Sequence, residues 1–230
     1  LAEIETAFQR MLRQIPKEGW LIACADNRAA SLVPHAYCQT ATYGFSEGAD
    51  WRGVPMERGG RRLLAVLRNG EPFLETEPAL AGRHNGQNAL AAVAAAALLG
   101  ADPARIAAAI ADFPGVKRRM EVFLRHHGAV FVNDFAHHPT AIRETIAAAR
   151  EKWPGARILA LFEPRSNTTV TNRFQGELTD AFAGADRLWL GPVHRAESLP
   201  EDERLNRAQM TADLAAVDGA EPEAVGAGEG

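Results

Sequence analysis

The sequence predicts an α/β fold in two parts, and three observations indicate it. A helix pattern followed by a buried-strand pattern opens the chain, strand and helix patterns alternate through its second half, and a Pro114-Gly115 turn signal separates the halves. We therefore expect one domain over residues 1–114 and a second over residues 115–230. The alternation in the second domain predicts a mostly parallel sheet with right-handed crossovers.

The first half is predicted to change from α/β to antiparallel β. Its Asn69-Gly70 pair is a strong signal for a two-residue hairpin turn. The predicted helices lie at about 2–14, 84–99 and 103–112, and the predicted strands at 20–25, 39–45, 61–68 and 72–77. The apolar residues of the opening helix share one face: Ile4, Phe8, Met11, Leu12 and Ile15.

The second half is predicted to run β-β-α-β-α-β. Its strands lie at 120–124, 129–133, 157–162 and 187–190, and its helices begin near Pro139 and Thr171. From about residue 218 the chain consists mainly of Gly, Ala, Glu and Pro without periodicity. This composition predicts a disordered tail, because it cannot bury enough apolar surface to offset the entropy of ordering.

Composition excludes several classes of function. The formal charge of −4 comes from interspersed acids and bases, so neither a nucleic-acid surface nor a polybasic membrane anchor is indicated. The longest apolar run, residues 89–100, is too short to span a bilayer, and no signal peptide opens the chain. The cytoplasm is therefore the expected compartment, and the missing initiator Met indicates a piece of a longer protein.

Residues 132–142 place one carboxylate and two imidazoles where a predicted strand gives way to a helix. Asp134 follows an apolar, β-rich run, and Pro139 suits the first position of a helix. In open α/β sheets ligands bind at this carboxyl edge, so Asp134, His137 and His138 are candidate site residues. The same three side chains could instead hold a metal ion in a metal-dependent hydrolase.

Two other clusters lie at element ends. Asn85 and Asn88 are three residues apart and would share a helical face, where their amides suit an adenine edge. A plain N-terminal helix cap is the alternative. Arg118 and Arg119 could bind phosphate oxygens, or form a solvated pair at a strand start.

A fourth cluster, residues 163–168, follows the predicted strand at 157–162 and is expected on the same edge as Asp134. Arg165 could hold a carboxylate there. The alternative is an ordinary loop in which Ser166 and Asn167 cap the next helix.

Together and in this order, the clusters resemble the Mur ligase family, the ATP-dependent amide ligases of bacterial cell-wall synthesis. Residues 82–89 are similar to the family's HNxxN helix start, residues 115–121 to its arginine motif, and residues 134–140 to its DxxHHPT turn. The resemblance covers roughly residues 1–190. It implies the last part of a central ATP-binding domain, followed by a Rossmann-like, peptide-binding C-terminal domain.

The HHPT form is typical of the branch that acts on UDP-N-acetylmuramate. With residues 116–121 and 163–168 it implies an enzyme of peptidoglycan recycling, which joins the tripeptide L-Ala-γ-D-Glu-meso-diaminopimelate to UDP-N-acetylmuramate through an acyl phosphate. The alternative within the family is the ligase that adds L-alanine. Its usual arginine motif, which ends in Phe, and its Pro-His-Arg-Tyr-Thr-Arg stretch are absent from this sequence.

The resemblance also implies roles for single residues. The implied ATP-binding residues are His84, Asn85, Asn88, Arg119 and Asp134. The implied catalytic pair, which would orient the incoming amine or its carboxylate, is His137 and His138. The implied peptide-recognition residues are Arg165, Ser166 and Asn167. A carboxylate such as that of Asp134 suits the ribose diol because it offers only acceptors.

The chain also departs from the family pattern. No GxxxxGK[ST] phosphate loop occurs in it, and the family's magnesium ligands would lie before Leu1, so no metal ligand is assigned within the chain. We therefore expect ATP and Mg²⁺ as cofactors of the complete enzyme, and no turnover of ATP by this chain alone.

Overall fold

The computed structural model describes residues 2–218, which divide into two compact units that meet between Pro114 and Gly115. Each unit has its own hydrophobic core. The tail predicted to be disordered lies, from residue 219 onward, outside the described residues. No helix within residues 2–218 is long and apolar enough to cross a bilayer.

The first unit is built on a five-stranded mixed sheet with the strand order β1-β2-β3-β4-β5. Its elements are α1 (Ala2–Leu12), β1 (Trp20–Cys24), a 3₁₀ helix (Arg28–His35), β2 (Gln39–Gly44), β3 (Trp51–Arg58), β4 (Arg61–Arg68), β5 (Glu71–Thr76), α2 (Arg83–Leu98) and α3 (Pro103–Ala111). The first three strands are parallel, and β3, β4 and β5 are antiparallel. The predicted change from α/β to antiparallel β is confirmed.

Two hairpin turns define the antiparallel part of this sheet. The predicted turn at Asn69-Gly70 has φ angles of 52° and 85°, and Gly59-Gly60 joins β3 to β4 with φ angles of 60° and 74°. Two consecutive left-handed residues are typical of the type I′ turn, whose twist matches that of the flanking strands. Strand β3 is absent from the predicted elements, although Gly-Gly is itself a hairpin signal.

The core of the first unit lies between the sheet and α2. Leu90 and Val93 of α2 are fully buried and cluster with Trp51 and Val66 of the sheet. A Cβ atom added at Gly53 of β3 would lie 2.7 Å from the Leu90 side chain. The absence of a side chain at Gly53 therefore allows α2 to pack closely on β3.

The predicted apolar face of α1 is only partly buried. Leu12 is fully buried, but Ile4, Phe8 and Met11 are 57%, 46% and 47% exposed. Only Leu12 of these four residues therefore contributes fully to a core. Helical periodicity determines which side chains share a face, but it does not supply a partner that covers them.

The second unit follows the predicted order β-β-α-β-α-β, with one further helix. Its elements are β6 (Glu121–His126), β7 (Ala129–Asn133), α4 (Pro139–Lys152), β8 (Leu159–Phe162), a short 3₁₀ turn (Asn172–Phe174), α5 (Gln175–Ala181), β9 (Arg187–Leu190) and α6 (Arg207–Asp218). Its core contains Ile142 and Ile146 of α4, Leu178 of α5 and Leu190 of β9. The α/β fold class is confirmed.

The strand pairing in this unit differs from a mostly parallel sheet. Strands β8 and β9 are parallel, as expected, whereas β6 and β7 form an antiparallel pair. Within the described residues these two pairs are separate sheets. The antiparallel pairing follows from the connection, since His127 and Gly128, with φ angles of 45° and 79°, form a two-residue hairpin turn.

Candidate functional site

The aspartate turn, residues 134–140, joins the end of β7 to the start of α4. The Asp134 carboxylate accepts hydrogen bonds from the backbone N–H groups of Met120 and Ala136, each at 2.8 Å. The Thr145 hydroxyl of α4 donates to the same carboxylate at 3.2 Å. Asp134 therefore fastens the turn both to the segment before β6 and to α4.

These three contacts limit what the Asp134 carboxylate can still bind. An ionised carboxylate offers about four acceptor positions, and three are used within the protein. Asp134 is also partly buried, so a ribose diol could use the remaining position or displace one of the present donors. The ribose-binding role stays a prediction, and the structure adds a structural role that the sequence pattern does not indicate.

The arginine motif, residues 115–121, lies directly against the aspartate turn. The backbone N–H of Phe135 donates to the Arg118 carbonyl at 2.8 Å, beside the contact between Met120 and Asp134. Arg118 and Met120 have φ angles of 59° and 50°, a left-handed conformation that is uncommon outside glycine. Such backbone persists only where the surroundings enforce it, and here the hydrogen bonds to the aspartate turn do so.

The two guanidinium groups of the arginine motif lie over one aromatic ring. The Arg118 guanidinium is 4.4 Å from the centroid of the Phe135 ring, and the Arg119 guanidinium is 6.0 Å from it. Both arginines are exposed. The interpretation as a solvated pair is therefore incomplete, because the ring orders both cations beside Asp134 while they remain accessible to an anion.

Both histidines of the aspartate turn are exposed and bound to nearby backbone. His137 Nδ1 lies 2.8 Å from the Phe135 carbonyl oxygen, and its ring contacts the Phe135 ring with a centroid distance of 4.7 Å. His138 is the N-cap of α4, since its Nδ1 accepts from the Thr140 N–H at 3.4 Å. Pro139 is the first residue of α4, as predicted.

The loop of residues 163–168 lies beside the aspartate turn, although β7 and β8 belong to separate sheets within the described residues. The Ser166 hydroxyl contacts the His137 carbonyl oxygen at 3.4 Å and the hydroxyl of the buried Thr169 at 3.0 Å. Arg165 is exposed and pairs with Glu163 at 3.7 Å, and Asn167 is also exposed.

The alternative of a helix cap at Ser166 and Asn167 is wrong. The N-cap of α5 is Phe174, and that of the short 3₁₀ turn is Thr171. Ser166 instead stabilises its own loop, because its carbonyl accepts from the backbone N–H groups of Thr169 and Val170. The loop is thus held against His137 by Ser166, with the Arg165 side chain in solvent.

In the first unit, the candidate adenine contacts lie on the first turns of α2. Gly82, with a φ angle of 97°, is the N-cap and provides no side-chain cap, so the interpretation of Asn85 as a cap is wrong. The Asn85 amide donates to the Ala81 carbonyl at 2.6 Å, and Asn88 is exposed. His84 is partly buried in the same turn. Whether these residues and those of the second unit meet on one nucleotide stays a prediction.

Asp26 is a buried carboxylate that the sequence motifs do not indicate. Its side chain is 7% exposed and follows β1. The backbone N–H groups of Phe45 and Ser46 donate to its carboxylate at 2.9 Å each, and the Gln87 amide of α2 donates at 3.0 Å. Asp26 therefore connects the end of β1, the loop after β2 and the first turns of α2.

The electrostatics of Asp26 follow from these donors. Burial raises the pKa of the carboxyl, but hydrogen bonds from Ser46, Phe45 and Gln87 outweigh burial and lower the pKa from 3.8 to about 2. The Arg83 guanidinium of α2, 3.4 Å away, adds an ion pair. The signal that could have revealed this role is an Asp at the carboxyl end of a predicted buried strand, the same signal that selects Asp134.

The arrangement does not support the metal-dependent hydrolase. Among residues 2–218, no three His, Cys, Asp or Glu side chains are grouped so that they could hold a metal ion. In the aspartate turn the Asp134 carboxylate accepts hydrogen bonds from two backbone N–H groups and from the Thr145 hydroxyl, so most of its acceptor positions are used within the protein. The geometry of the turn is that of a braced loop beside exposed cations.

Two family models match most of the chain. Residues 1–96 match the Mur ligase middle domain, and residues 118–225 match the domain described as Mur ligase, glutamate ligase domain. The fold and the motifs thus define a chain with the middle and C-terminal domains of a Mur ligase. The chain belongs to the Mur ligase family.

Two similar curated relatives are named as L-alanine ligases. The UDP-N-acetylmuramate–L-alanine ligase of Desulforapulum autotrophicum is 33% identical over 205 residues, covering 88% of this chain and 44% of that protein. The protein of the same name from Bordetella petrii is 34% identical over 214 residues, covering 87% of this chain and 46% of that protein. The chain thus spans less than half the length of these relatives.

Solved structures give the same fold. A murein peptide ligase from Psychrobacter arcticus has a TM-score of 0.63 and 26% identity, covering 97% of this chain and 46% of that one. A UDP-N-acetylmuramate-alanine ligase from Thermotoga maritima has a TM-score of 0.73 and 23% identity, covering 96% and 45%. At that identity the second likeness supports the fold alone.

Proposed function

We propose that this chain is part of an ATP-dependent ligase that joins UDP-N-acetylmuramate to the amino group of an L-alanyl acceptor. The observation that carries the proposal is the direct contact between the arginine motif and the aspartate turn, made by the hydrogen bond from Met120 to Asp134. Beside this contact, the Phe135 ring lies against the guanidinium groups of Arg118 and Arg119 and against the imidazole of His137. Exposed cations in this place would suit phosphoryl transfer, because they can neutralise phosphate charge.

The chain's residues would act mainly by positioning and by charge neutralisation. Bound ATP would supply the phosphoryl group that activates the muramate carboxylate. Arg119 would neutralise phosphate charge, and Asn88, exposed on α2, would contact the adenine. His137 and His138 would orient the amine, since their imidazoles are exposed beside the arginine motif. The Mg²⁺ ligands are expected outside the chain, so no residue of it is assigned to the metal.

Free L-alanine is the acceptor favoured by the curated relatives, which carry that name at 31% to 34% identity. A second acceptor, the tripeptide L-Ala-γ-D-Glu-meso-diaminopimelate, is favoured by the loop of residues 163–168. Ser166 holds this loop against His137, and Arg165 extends into solvent. Because the tripeptide carries carboxylates beyond its first residue, an exposed guanidinium beside the amine site would suit it.

A hybrid ligase tests both parts of the proposal. The hybrid is the Desulforapulum autotrophicum enzyme in which this chain replaces the segment that matches it, which is 44% of that enzyme's length. With ATP, Mg²⁺ and UDP-N-acetylmuramate, we expect phosphate release and amide formation that depend on added L-alanine or tripeptide. The ratio of kcat/KM for the two acceptors, compared with that of the parent enzyme, identifies the acceptor that this chain selects.

Two results would count against the proposal. One is phosphate release by residues 1–230 alone, because the chain has no phosphate loop. The other is a folded hybrid, shown by a cooperative melting transition, that uses neither acceptor. A bound stoichiometric transition metal in the purified chain would favour the hydrolase instead.

A further inference from the structure

The two histidines of the aspartate turn have opposite kinds of hydrogen-bond partner. A neutral imidazole carries one proton, so one ring nitrogen donates and the other accepts. The partner of one nitrogen therefore determines what the other nitrogen presents. In both His137 and His138 the bound nitrogen is Nδ1, and both partners are backbone groups whose role is fixed.

His137 faces an acceptor. Its Nδ1 is 2.8 Å from the carbonyl oxygen of Phe135, and a carbonyl oxygen can only accept. The proton of neutral His137 is therefore on Nδ1, and Nε2 carries the lone pair. The ring contact with Phe135, at 4.7 Å and a tilt of 55°, holds the imidazole in this orientation.

His138 faces a donor. Its Nδ1 accepts from the backbone N–H of Thr140 at 3.4 Å, as the side chain of an N-cap residue does. The proton of neutral His138 is therefore on Nε2. A ring contact with Phe174, 5.5 Å between centroids, supports this orientation.

We infer that His137 and His138 are held as opposite neutral tautomers, so that the aspartate turn presents one acceptor nitrogen and one donor nitrogen to its substrate. This inference rests on the proposed function and assigns the two roles within it. His137 Nε2 accepts from the amino group of the incoming L-alanyl residue, and His138 Nε2–H donates to the carboxylate or carbonyl oxygen of the same residue. An α-amino acid offers this pair of groups, a donor nitrogen and an acceptor oxygen.

The tautomers can be measured without any enzyme activity. Long-range ¹H–¹⁵N correlation spectra of residues 1–230, labelled with ¹⁵N at its seven histidines, show which ring nitrogen carries the proton. The spectra are recorded at about pH 8, above the ordinary histidine pKa of about 6.5. The variants His137→Gln and His138→Gln assign the two rings by loss of signal. We expect the proton on Nδ1 for His137 and on Nε2 for His138; the same tautomer at both positions would overturn the inference.

The roles are tested by reciprocal substitutions in the hybrid ligase. The variant His137→Glu keeps an acceptor at this position, whereas His137→Arg offers only donors. His137→Glu should therefore have a lower KM for the L-alanyl acceptor than His137→Arg. At position 138 the order should reverse, so that His138→Arg has a lower KM for the L-alanyl acceptor than His138→Glu. A difference of about tenfold or more is expected at each position, as for one hydrogen bond to a charged group. The same order at both positions would overturn the assignment.

The spectra and the hybrid ligase assay together separate this inference from the proposed function. Opposite tautomers in the spectra, with a folded hybrid that uses no L-alanyl acceptor, would support the tautomer assignment and contradict the function. Identical tautomers, with a hybrid that still forms the amide, would overturn the inference and leave the function in place.

Discussion

The backbone N–H of Met120 donates a 2.8 Å hydrogen bond to the carboxylate of Asp134. These two residues are fourteen positions apart and belong to two different motifs of the sequence, the arginine motif and the aspartate turn. Asp134 therefore holds together the parts that the proposed reaction needs close to each other. Asp134 thus has a structural role in the site that does not depend on bound nucleotide.

Replacing Asp134 by Asn should destabilise the second unit. An amide at this position would present an N–H₂ group to at least one backbone donor, so one hydrogen bond to a charged acceptor is lost. We expect the free energy of unfolding in urea to fall by about 1–3 kcal/mol, with faster amide exchange at Met120 or Ala136. Asp180→Asn, at an exposed position of α5, is the control and should change the stability by less than about 0.5 kcal/mol. Equal effects of the two variants would contradict the bracing role.

Asp26 should make the first unit sensitive to acid. Its pKa is about 2 in the folded protein, below the ordinary 3.8, so the carboxylate stabilises the fold fully above about pH 4. This stabilisation, about 2 kcal/mol, is lost as the pH falls through 2. The measurement is the free energy of unfolding of the wild type and of Asp26→Asn between about pH 6 and pH 2. The gap between the two proteins should narrow as the pH falls; a constant gap would show that the ionised carboxylate has no special role.

A side chain at Gly44 should destabilise the first unit, because a Cβ atom there would lie 2.6 Å from the Asp26 carboxylate. Gly44→Ala should therefore lower the free energy of unfolding by about 1–3 kcal/mol, as overpacking does. Gly48→Ala is the matched control, since nothing lies within 4 Å of a Cβ atom at Gly48. Thermal or urea unfolding of the two variants measures the difference. A Gly44→Ala protein as stable as the control would mean that the carboxylate is free to move.

Arg165 should affect the acceptor and not the nucleotide. In the hybrid ligase, Arg165→Ala should raise the KM for the tripeptide severalfold with little change for ATP, because the lost contact is with a carboxylate of the peptide. Glu163→Gln is the control, as it removes the ion-pair partner of Arg165 and leaves the guanidinium in place. An unchanged KM for the tripeptide in Arg165→Ala would count against peptide recognition by this loop.

Much of the fold follows from local sequence patterns. Asp102-Pro103 begins α3 and Pro139 begins α4 as expected, because Pro fits the first turn of a helix and Asp caps it. The Asn69-Gly70 hairpin forms for an equally local reason. Strand β3 escapes prediction because Pro55, Glu57 and Arg58 interrupt its apolar pattern. The exposed face of α1 and the antiparallel pairing of β6 with β7 depend on tertiary neighbours or on turn geometry that periodicity does not contain.

The residues of the candidate site can be selected from the sequence, but most of their contacts cannot. The position of Asp134 after a strand follows from the apolar run before it, and residues 163–168 lie near the aspartate turn through the contact of Ser166 with His137. The left-handed backbone at Arg118 and Met120 carries no glycine signal, so it could not be foreseen. Nor could the donors to Asp26, which come from Ser46 and Gln87, far away in the sequence.

The ring of Phe135 occupies a position that the DxxHHPT motif leaves unspecified. It contacts the guanidinium of Arg118, which precedes it in the sequence, and the imidazole of His137, which follows it. The benzyl group of Phe135 is therefore the shared neighbour of the cation and the imidazole. Grafting only the specified residues of the motif onto another scaffold would remove this shared neighbour and leave the two side chains without their common contact.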